Sequence, residues 1–205
     1  MSRYTGPRAR VSRRLGTNIF GTRGEAIALD KRPFPPGIHG RTRRRGNNNS
    51  EYLLQLQEKQ KARFTYGLNE RQFRKVYEEA SRRSGVTGEN MLRSLELRLD
   101  NVVYRAGWAS TRPQGRQFVS HGHVLVNGKR VNVPSYRVRK GDVVEIKEKT
   151  RTNAIVQWNS DVLDRTPPAW LDRTEPFKVS VYAEPIREQI DVPLREQLIV
   201  ELYSK

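Results

Sequence analysis

The chain has 205 residues and a formal net charge of +17, from 39 Lys and Arg against 22 Asp and Glu, and only 35% of it is hydrophobic. A surplus of that size calls for a polyanion, nucleic acid first, and argues against an enzyme acting on a small metabolite. Without cysteine, disulfides, thiolate catalysis and Cys-ligated zinc or iron–sulfur clusters are excluded. No apolar run approaches the roughly 18 residues that span a bilayer, and the basic start MSRYTGPRARVSRRLG lacks the apolar core of a signal peptide. The expectation is a cytoplasmic protein with no membrane, cofactor, metal or small-molecule substrate.

The first 50 residues hold 12 basic and 2 acidic side chains and seven of the 15 glycines, with few aliphatics. Residues 1–48 are therefore expected to form a basic arm that builds no core of its own. The alternatives are a solvated tail and an arm that orders on a phosphate backbone, and the second is favoured. Its candidate contacts are Arg3, Arg8, Arg10, Arg13, Arg14, Arg41, Arg43, Arg44 and Arg45. Pro33, Pro35 and Pro36 exclude a helix just before the last cluster. His39 is expected in a loop, able to stack on a base.

Residues 49–95 read as a helical domain. A helix over 51–66, N-capped by Ser50, puts Leu53, Leu56, Gln60 and Phe64 on one face. Asn69 opens a second helix with the stripe Phe73, Val76, Tyr77 and Ala80. The candidate contacts here are Tyr52, Lys59, Lys61, Arg63, Arg71 and Arg74. Leu92, Leu95, Leu99, Val102 and Ala106 predict a third helix from about Glu89 to Arg105. Ser110 and Thr111 start a fourth, with Pro113 in its first turn and Ser120 near its end.

After Gly122 the period changes from 3.6 to 2. Asn127-Gly128 between alternating residues predicts a hairpin over 123–133, and Val143–Lys147 predicts a further strand. Ala154–Trp158 and Phe177–Tyr182 also read as strands, joined by an irregular link in which Trp170 plugs a core. Leu194, Leu198 and Leu202 predict a C-terminal helix, within 191–205, that returns to the helical domain. The expected fold class is α+β: a basic arm, a helical domain, and a domain over 96–190 of two helices on a small, mostly antiparallel sheet.

From Asn101 to Gly141 there are eight Lys and Arg and no acid. Charge of one sign on a compact fold repels itself unless a polyanion neutralises it. Arg112 and Arg116 share a helical face, where two guanidiniums can grip neighbouring phosphates, and the helix start at Ser110 and Thr111 adds N–H groups and a positive dipole end. Lys129 and Arg130 are expected to project from the hairpin tip, with His121 and Arg137 as further contacts. His121 and His123 have the spacing of a metal pair but no third ligand nearby.

The residues Arg98–Gly107, Ser110–Arg112, Arg116–His121, Val126–Gly128, Pro134–Tyr136 and Gly141-Asp142 closely resemble the S-four RNA-binding motif, shared with pseudouridine synthases and tyrosyl-tRNA synthetases. The flanks Glu58–Lys61, Tyr66-Gly67, Glu70–Arg74, Thr87–Asn90 and Glu196–Lys205, with Arg3-Tyr4, Gly6-Pro7, Ser12–Arg14 and His39-Gly40, extend the resemblance to the small-ribosomal-subunit protein-four family over nearly the whole chain. The resemblance implies a ribosomal protein, and not an enzyme, that binds the 5′ domain of 16S rRNA early in assembly and influences translational accuracy. It implies contact with small-subunit protein five and a place near the channel by which mRNA enters. Some members hold zinc with four cysteines in the arm. None is present here, so the arm is expected to be held by RNA alone.

Of two rivals, the enzyme is set aside and one stays open. A catalytic domain like that of the synthases has no room in residues 151–205, and there is no P-loop or dinucleotide fingerprint. A free-standing RNA chaperone carrying the same motif is the alternative function.

Overall fold

The computed structural model describes residues 4–41, 50–162 and 165–204. The chain forms two compact units, Met1–Glu78 with Pro193–Lys205, and Glu79–Val192.

The first unit is helical. Its arm is folded: α1 (Arg8–Leu15) and α2 (Arg23–Lys31) pack on each other, followed by a 3-10 turn at Ile38–Gly40. This corrects the expectation of an arm without internal packing that only RNA could hold. Val11 and Ile19 are buried, and so are Ser12 and Glu25. The Ser12 hydroxyl donates to Glu25 Oε1 at 2.5 Å and accepts from the Ile19 N–H, while Thr22 Oγ1 donates to Glu25 Oε2 at 2.6 Å. A polar knot of this kind needs few aliphatics, so hydrophobic content alone missed it.

Helices α3 (Glu51–Thr65) and α4 (Glu70–Ser81) follow. The N-caps are as expected: Ser50 Oγ accepts from the Leu53 N–H, and Asn69 Oδ1 accepts from the Gln72 N–H at 2.8 Å. The α3 face is shifted from the predicted one. Gln55, Glu58, Ala62 and Thr65 are buried, whereas Leu53 and Leu54 are exposed. The buried face is set by α10 (Glu196–Ser204), the predicted returning helix, which packs on α3. Gln55 donates to Glu51 and Glu201, and Glu58 accepts the Arg195 N–H and the Lys61 ammonium. Polar side chains thus line the seam, and an apolar stripe could not mark it.

In the second unit, α5 (Thr87–Glu96) and α6 (Leu99–Arg105) replace the single predicted helix. The apolar stripe persists across both, with Leu92, Leu95, Leu99, Val102 and Ala106 fully buried. The backbone breaks at Leu97 and Arg98 because its hydrogen bonds go elsewhere: Leu99 N–H to Tyr136 O, Asp100 N–H to Pro134 O, and Val138 N–H to Leu97 O. Helix α7 (Arg112–Ser120) crosses α6 closely, and its Gly115 leaves no room for a side chain, since a Cβ there would lie 2.7 Å from Asp100 O.

A five-stranded antiparallel sheet completes the unit: β1 (Val124–Val126), β2 (Lys129–Arg130), β3 (Val143–Ile146), β4 (Leu171–Glu175) and β5 (Lys178–Val181), in the order β2-β1-β3-β5-β4. Asn127 and Gly128 both have positive φ, as a primed hairpin turn requires. Strand β2 is only two residues long, shorter than expected; the link at Pro167–Trp170 is irregular with Trp170 buried, and β4, which follows it, was not among the expected strands. Between β3 and β4 lie α8 (Glu148–Arg151) and α9 (Ala154–Val162), so the predicted strand at 154–158 is helical. Asn153 Oδ1 accepts from the Ile155 N–H at 2.9 Å and caps it, and buried Val156 and Asn159 have helical spacing. Trp108, Trp170, Val119, Val144, Ile146 and Val179 form the centre of the core between helices and sheet.

Candidate nucleic-acid interface

In the first unit the expected contacts fall into two groups. Arg13, Lys59 and Lys61 are committed within the protein. The Arg13 guanidinium donates to the carbonyls of Arg32, Phe34 and Pro35 at 3.1–3.4 Å, stapling the proline-rich segment to α1. Lys59 pairs with Glu70 at 2.8 Å, and Lys61 with Glu58 at 2.5 Å. Arg63 lies 4.6 Å from the Phe64 ring centroid and donates to Gln60. By contrast Arg8, Arg10, Arg14, His39, Arg41, Tyr52 and Arg71 are exposed; Arg8 rests on Phe20 and Arg41 on Phe34. Exposed Arg74 pairs with Glu78 at 3.2 Å. Arg3, Arg43, Arg44 and Arg45 lie outside the described residues. Tyr4 and Phe20 pack on the Phe64 ring, so the arm is tied to α3 by aromatic contact.

In the second unit the two acids just before the acid-free stretch reach into it. Buried Glu96 accepts two bonds from Arg105 at 2.9 Å and one from Asn101 Nδ2 at 2.8 Å. Arg105 also pairs with Asp191 at 2.6 Å. Asp100 accepts two bonds from Arg98 and lies 3.7 Å from Arg116. Arg112 donates to Asn101 Oδ1 at 2.8 Å and stacks on Tyr104, 4.4 Å from the ring centroid. The Arg165 guanidinium lies 4.0 Å from the same centroid and donates to the Tyr104 carbonyl. Burial, with the Arg112 and Arg105 charges, holds Arg165 below the usual guanidinium range despite Tyr104 and Asp191.

Arg112 and Arg116 do share a face of α7, but that face lies against α6. The start of α7 is largely used as well. The Thr111 hydroxyl accepts from the Gln114 N–H, the Ser110 N–H and hydroxyl donate to Gln114 Oε1 at 2.6 and 2.7 Å, and Pro113 has no N–H to offer. Arg137 is paired with Glu79.

What the unit displays is the end of the sheet around the hairpin. Lys129, Arg130, Arg139 and Lys140 are all exposed. The hairpin turn is fixed to the following turn: Asn127 Nδ2 donates to Asp142 Oδ1 at 2.9 Å, and its Oδ1 accepts from the Val143 N–H at 2.8 Å. Asp142, the one acid in these turns, is occupied by that bond and by the Arg139 N–H. Arg130 does not project from the tip. Its guanidinium folds back over the backbone of Gly122, the residue that joins His121, the C-cap of α7, to His123. Arg139, Lys140 and Lys147 were not among the expected contacts. For Arg139 and Lys140 the composition signal, a run without acid, was visible, but which of its members stay outside depends on the pairing of strands; Lys147 lies beyond that run, between Glu145 and Glu148.

Comparison with known proteins decides the kinship. Residues 3–96 match the ribosomal protein S4/S9 N-terminal domain, and residues 97–144 match the S4 domain. The chain is 57% identical to the small ribosomal subunit protein uS4 of Nocardia farcinica, over the whole of both chains. It belongs to the uS4 family. The uS4 proteins of Saccharopolyspora erythraea and Mycolicibacterium smegmatis are 55% and 56% identical, again over the full length of both chains. The uS4 family is structural and not enzymatic, and its S4 domain is an RNA-binding one. No described helix is long and apolar enough to cross a membrane, and no group of three or more metal-ligating side chains occurs among the described residues.

Proposed function

We propose that the protein is a structural constituent of the small ribosomal subunit in the cytoplasm, binding 16S rRNA directly and nucleating assembly of its 5′ domain. The observation that carries this is the exposed basic end of the second unit's sheet, whose one acid, Asp142, is taken up by the bonds that hold its turns together. Fixed cations on a preformed scaffold read RNA shape and backbone rather than base edges. In this reading the labour divides by domain. The arm, residues 1–48, reaches between RNA helices; residues 49–95 with 191–205 support it; residues 96–190 grip a folded junction. The family resemblance alone adds to this proposal contact with small-subunit protein five, a position near the path of incoming mRNA, and an influence on decoding accuracy.

The test is affinity for a 5′-domain 16S rRNA transcript as salt is varied. Engagement of about eight phosphates predicts a log–log slope of roughly −6 to −7. The double variant Lys129→Glu with Lys140→Glu should weaken binding with an unchanged denaturation midpoint. A slope near −1, or no binding, refutes the proposal. A free-standing chaperone would fail to sediment with the small subunit in low-magnesium sucrose gradients.

A further inference from the structure

Where α7 ends and β1 begins, four nitrogen-bearing side chains from different elements meet. His121 caps α7, His123 precedes β1, Arg130 comes from β2, and Lys147 follows β3 directly opposite His123, to whose carbonyl its N–H donates at 2.9 Å. The two imidazole centroids are 6.0 Å apart, and the Arg130 guanidinium lies over the backbone of Gly122, the residue that joins them. Gly122 has φ +72°, a conformation suited to glycine, and this lets the guanidinium lie against the bare backbone. His123 Nδ1 is 3.0 Å from the hydroxyl of buried Thr150 on α8, and the Phe118 ring of α7 meets the imidazole edge-on. That fixes the ring and leaves its second nitrogen for an incoming oxygen. Among the described residues no acidic side chain forms an ion pair or hydrogen bond with any of the four.

A guanidinium on the backbone that joins the two histidines repels a metal cation and attracts an anion. We propose that His121, His123, Arg130 and Lys147 form a site for one backbone phosphate of the RNA, and that filling it takes up a proton at His123, so that binding tightens as pH falls. This rests on the RNA-binding reading above and adds to it a regulated subsite.

The sign follows from the surroundings. The charges that act on His123 are basic, His121 from α7, Arg130 from β2 and Lys147 after β3; the adjoining strand and helix also carry Glu145, which pairs with Arg151 at 3.8 Å, and Glu148 and Lys149 of α8. Burial first, and then the three basic charges, hold the imidazole below its ordinary value near 6.5, so the free protein carries it neutral at neutral pH. A phosphate reverses the local field and favours the imidazolium. Its proton comes from solvent, Nδ1–H donates to Thr150, and the other N–H donates to the phosphate oxygen. Affinity then declines with rising pH between the free-state and bound-state values of His123, by up to about tenfold per pH unit for one proton.

The experiment measures affinity for the 5′-domain transcript from pH 5.5 to 8 at constant salt, for the full chain and for His123→Gln and His121→Gln. The expected result is a falling limb in the wild type, retained in His121→Gln, with His123→Gln flat and close to the wild type's alkaline value. NMR titration of the His123 ring in the unaltered protein, with and without transcript, is the second readout, and bound RNA should raise its midpoint. Equal pH slopes in wild type and His123→Gln, or a midpoint that RNA leaves in place, overturn the subsite while RNA binding stands. Absence of binding at every pH overturns the functional proposal itself.

Discussion

Replacing Glu96 with alanine tests whether the ion network beneath α7 holds the second unit together. Glu96 is fully buried and its carboxylate takes three hydrogen bonds, two from Arg105 and one from Asn101, at 2.8–2.9 Å. Arg105 is itself 7% exposed. In Glu96→Ala the guanidinium stays buried beside exposed Asp191 with its two bonds to Glu96 lost, and Asn101 loses an acceptor. Removing one partner of a buried pair costs about 3–5 kcal/mol, because the surviving charge has lost its compensation. At roughly 2–4 °C per kcal/mol for a chain of this size, the melting point should fall by about 6–20 °C. All three tryptophans, Trp108, Trp158 and Trp170, lie in the second unit, so tryptophan fluorescence in urea follows that unit alone. The double variant Glu96→Leu with Arg105→Met should lose much less than the single changes combined, since it leaves no orphaned charge. A Glu96→Ala loss below about 1 kcal/mol, or simple additivity in the cycle, refutes the argument.

Two further predictions concern single contacts. Gly115→Ala should destabilise the second unit by about 1–3 kcal/mol in urea unfolding, although alanine is the better helix former, because its Cβ would press on Asp100 O across the α6–α7 crossing. In the first unit Glu70 is held below the usual carboxylate range. Burial pushes it up, but hydrogen bonds from Lys59 and Tyr203 outweigh this. Its contribution is therefore present above pH 4.5 and lost as pH falls through the lower folded-state value. Tyr203 is displaced upward by burial and by Glu70, so its contribution is present below pH 10 and lost on going higher. Tyr203→Phe should flatten both limbs of stability against pH in thermal unfolding followed by circular dichroism; unchanged limbs would contradict the assignment.

The elements with a strong apolar period were legible in the sequence. The stripes of α4, α5 and α6 and the Asn127-Gly128 hairpin lie where their patterns place them; the returning helix α10 exists, but it starts after Leu194 and buries Ile199 rather than Leu198 and Leu202. Failures arose where polar groups do the packing. The arm closes around Ser12 and Glu25, α3 buries Gln55 and Glu58, and α9 is started by Asn153, none of which an apolar count registers. The break at Leu97 and Arg98 is invisible for another reason. It arises from backbone bonds to residues 134–138, a pairing across about 40 positions, while the side-chain period runs on undisturbed.

The same distinction governs the charge. The acid-free run from Asn101 to Gly141 reads as a uniform basic stripe, yet Glu96 and Asp100 just before it draw in Arg105, Arg116 and, through Asn101, Arg112. Glu79 takes Arg137. The helical part of the run is thus largely neutralised from within, and the remaining cations, Lys129, Arg130, Arg139 and Lys140, come from the hairpin and the turn bonded to it. Neutralised arginines cost little when no RNA is present and hold α6 against α7. Exposed ones repel one another and have to be separated by a stiff backbone. The hairpin supplies that stiffness through a positive-φ Asn and two side-chain bonds, so the surplus is carried by the part of the fold least able to collapse onto it. The proposed interface is centred on that sheet end, with α7 as its support, on the ground of where the acids lie rather than of where the arginines lie.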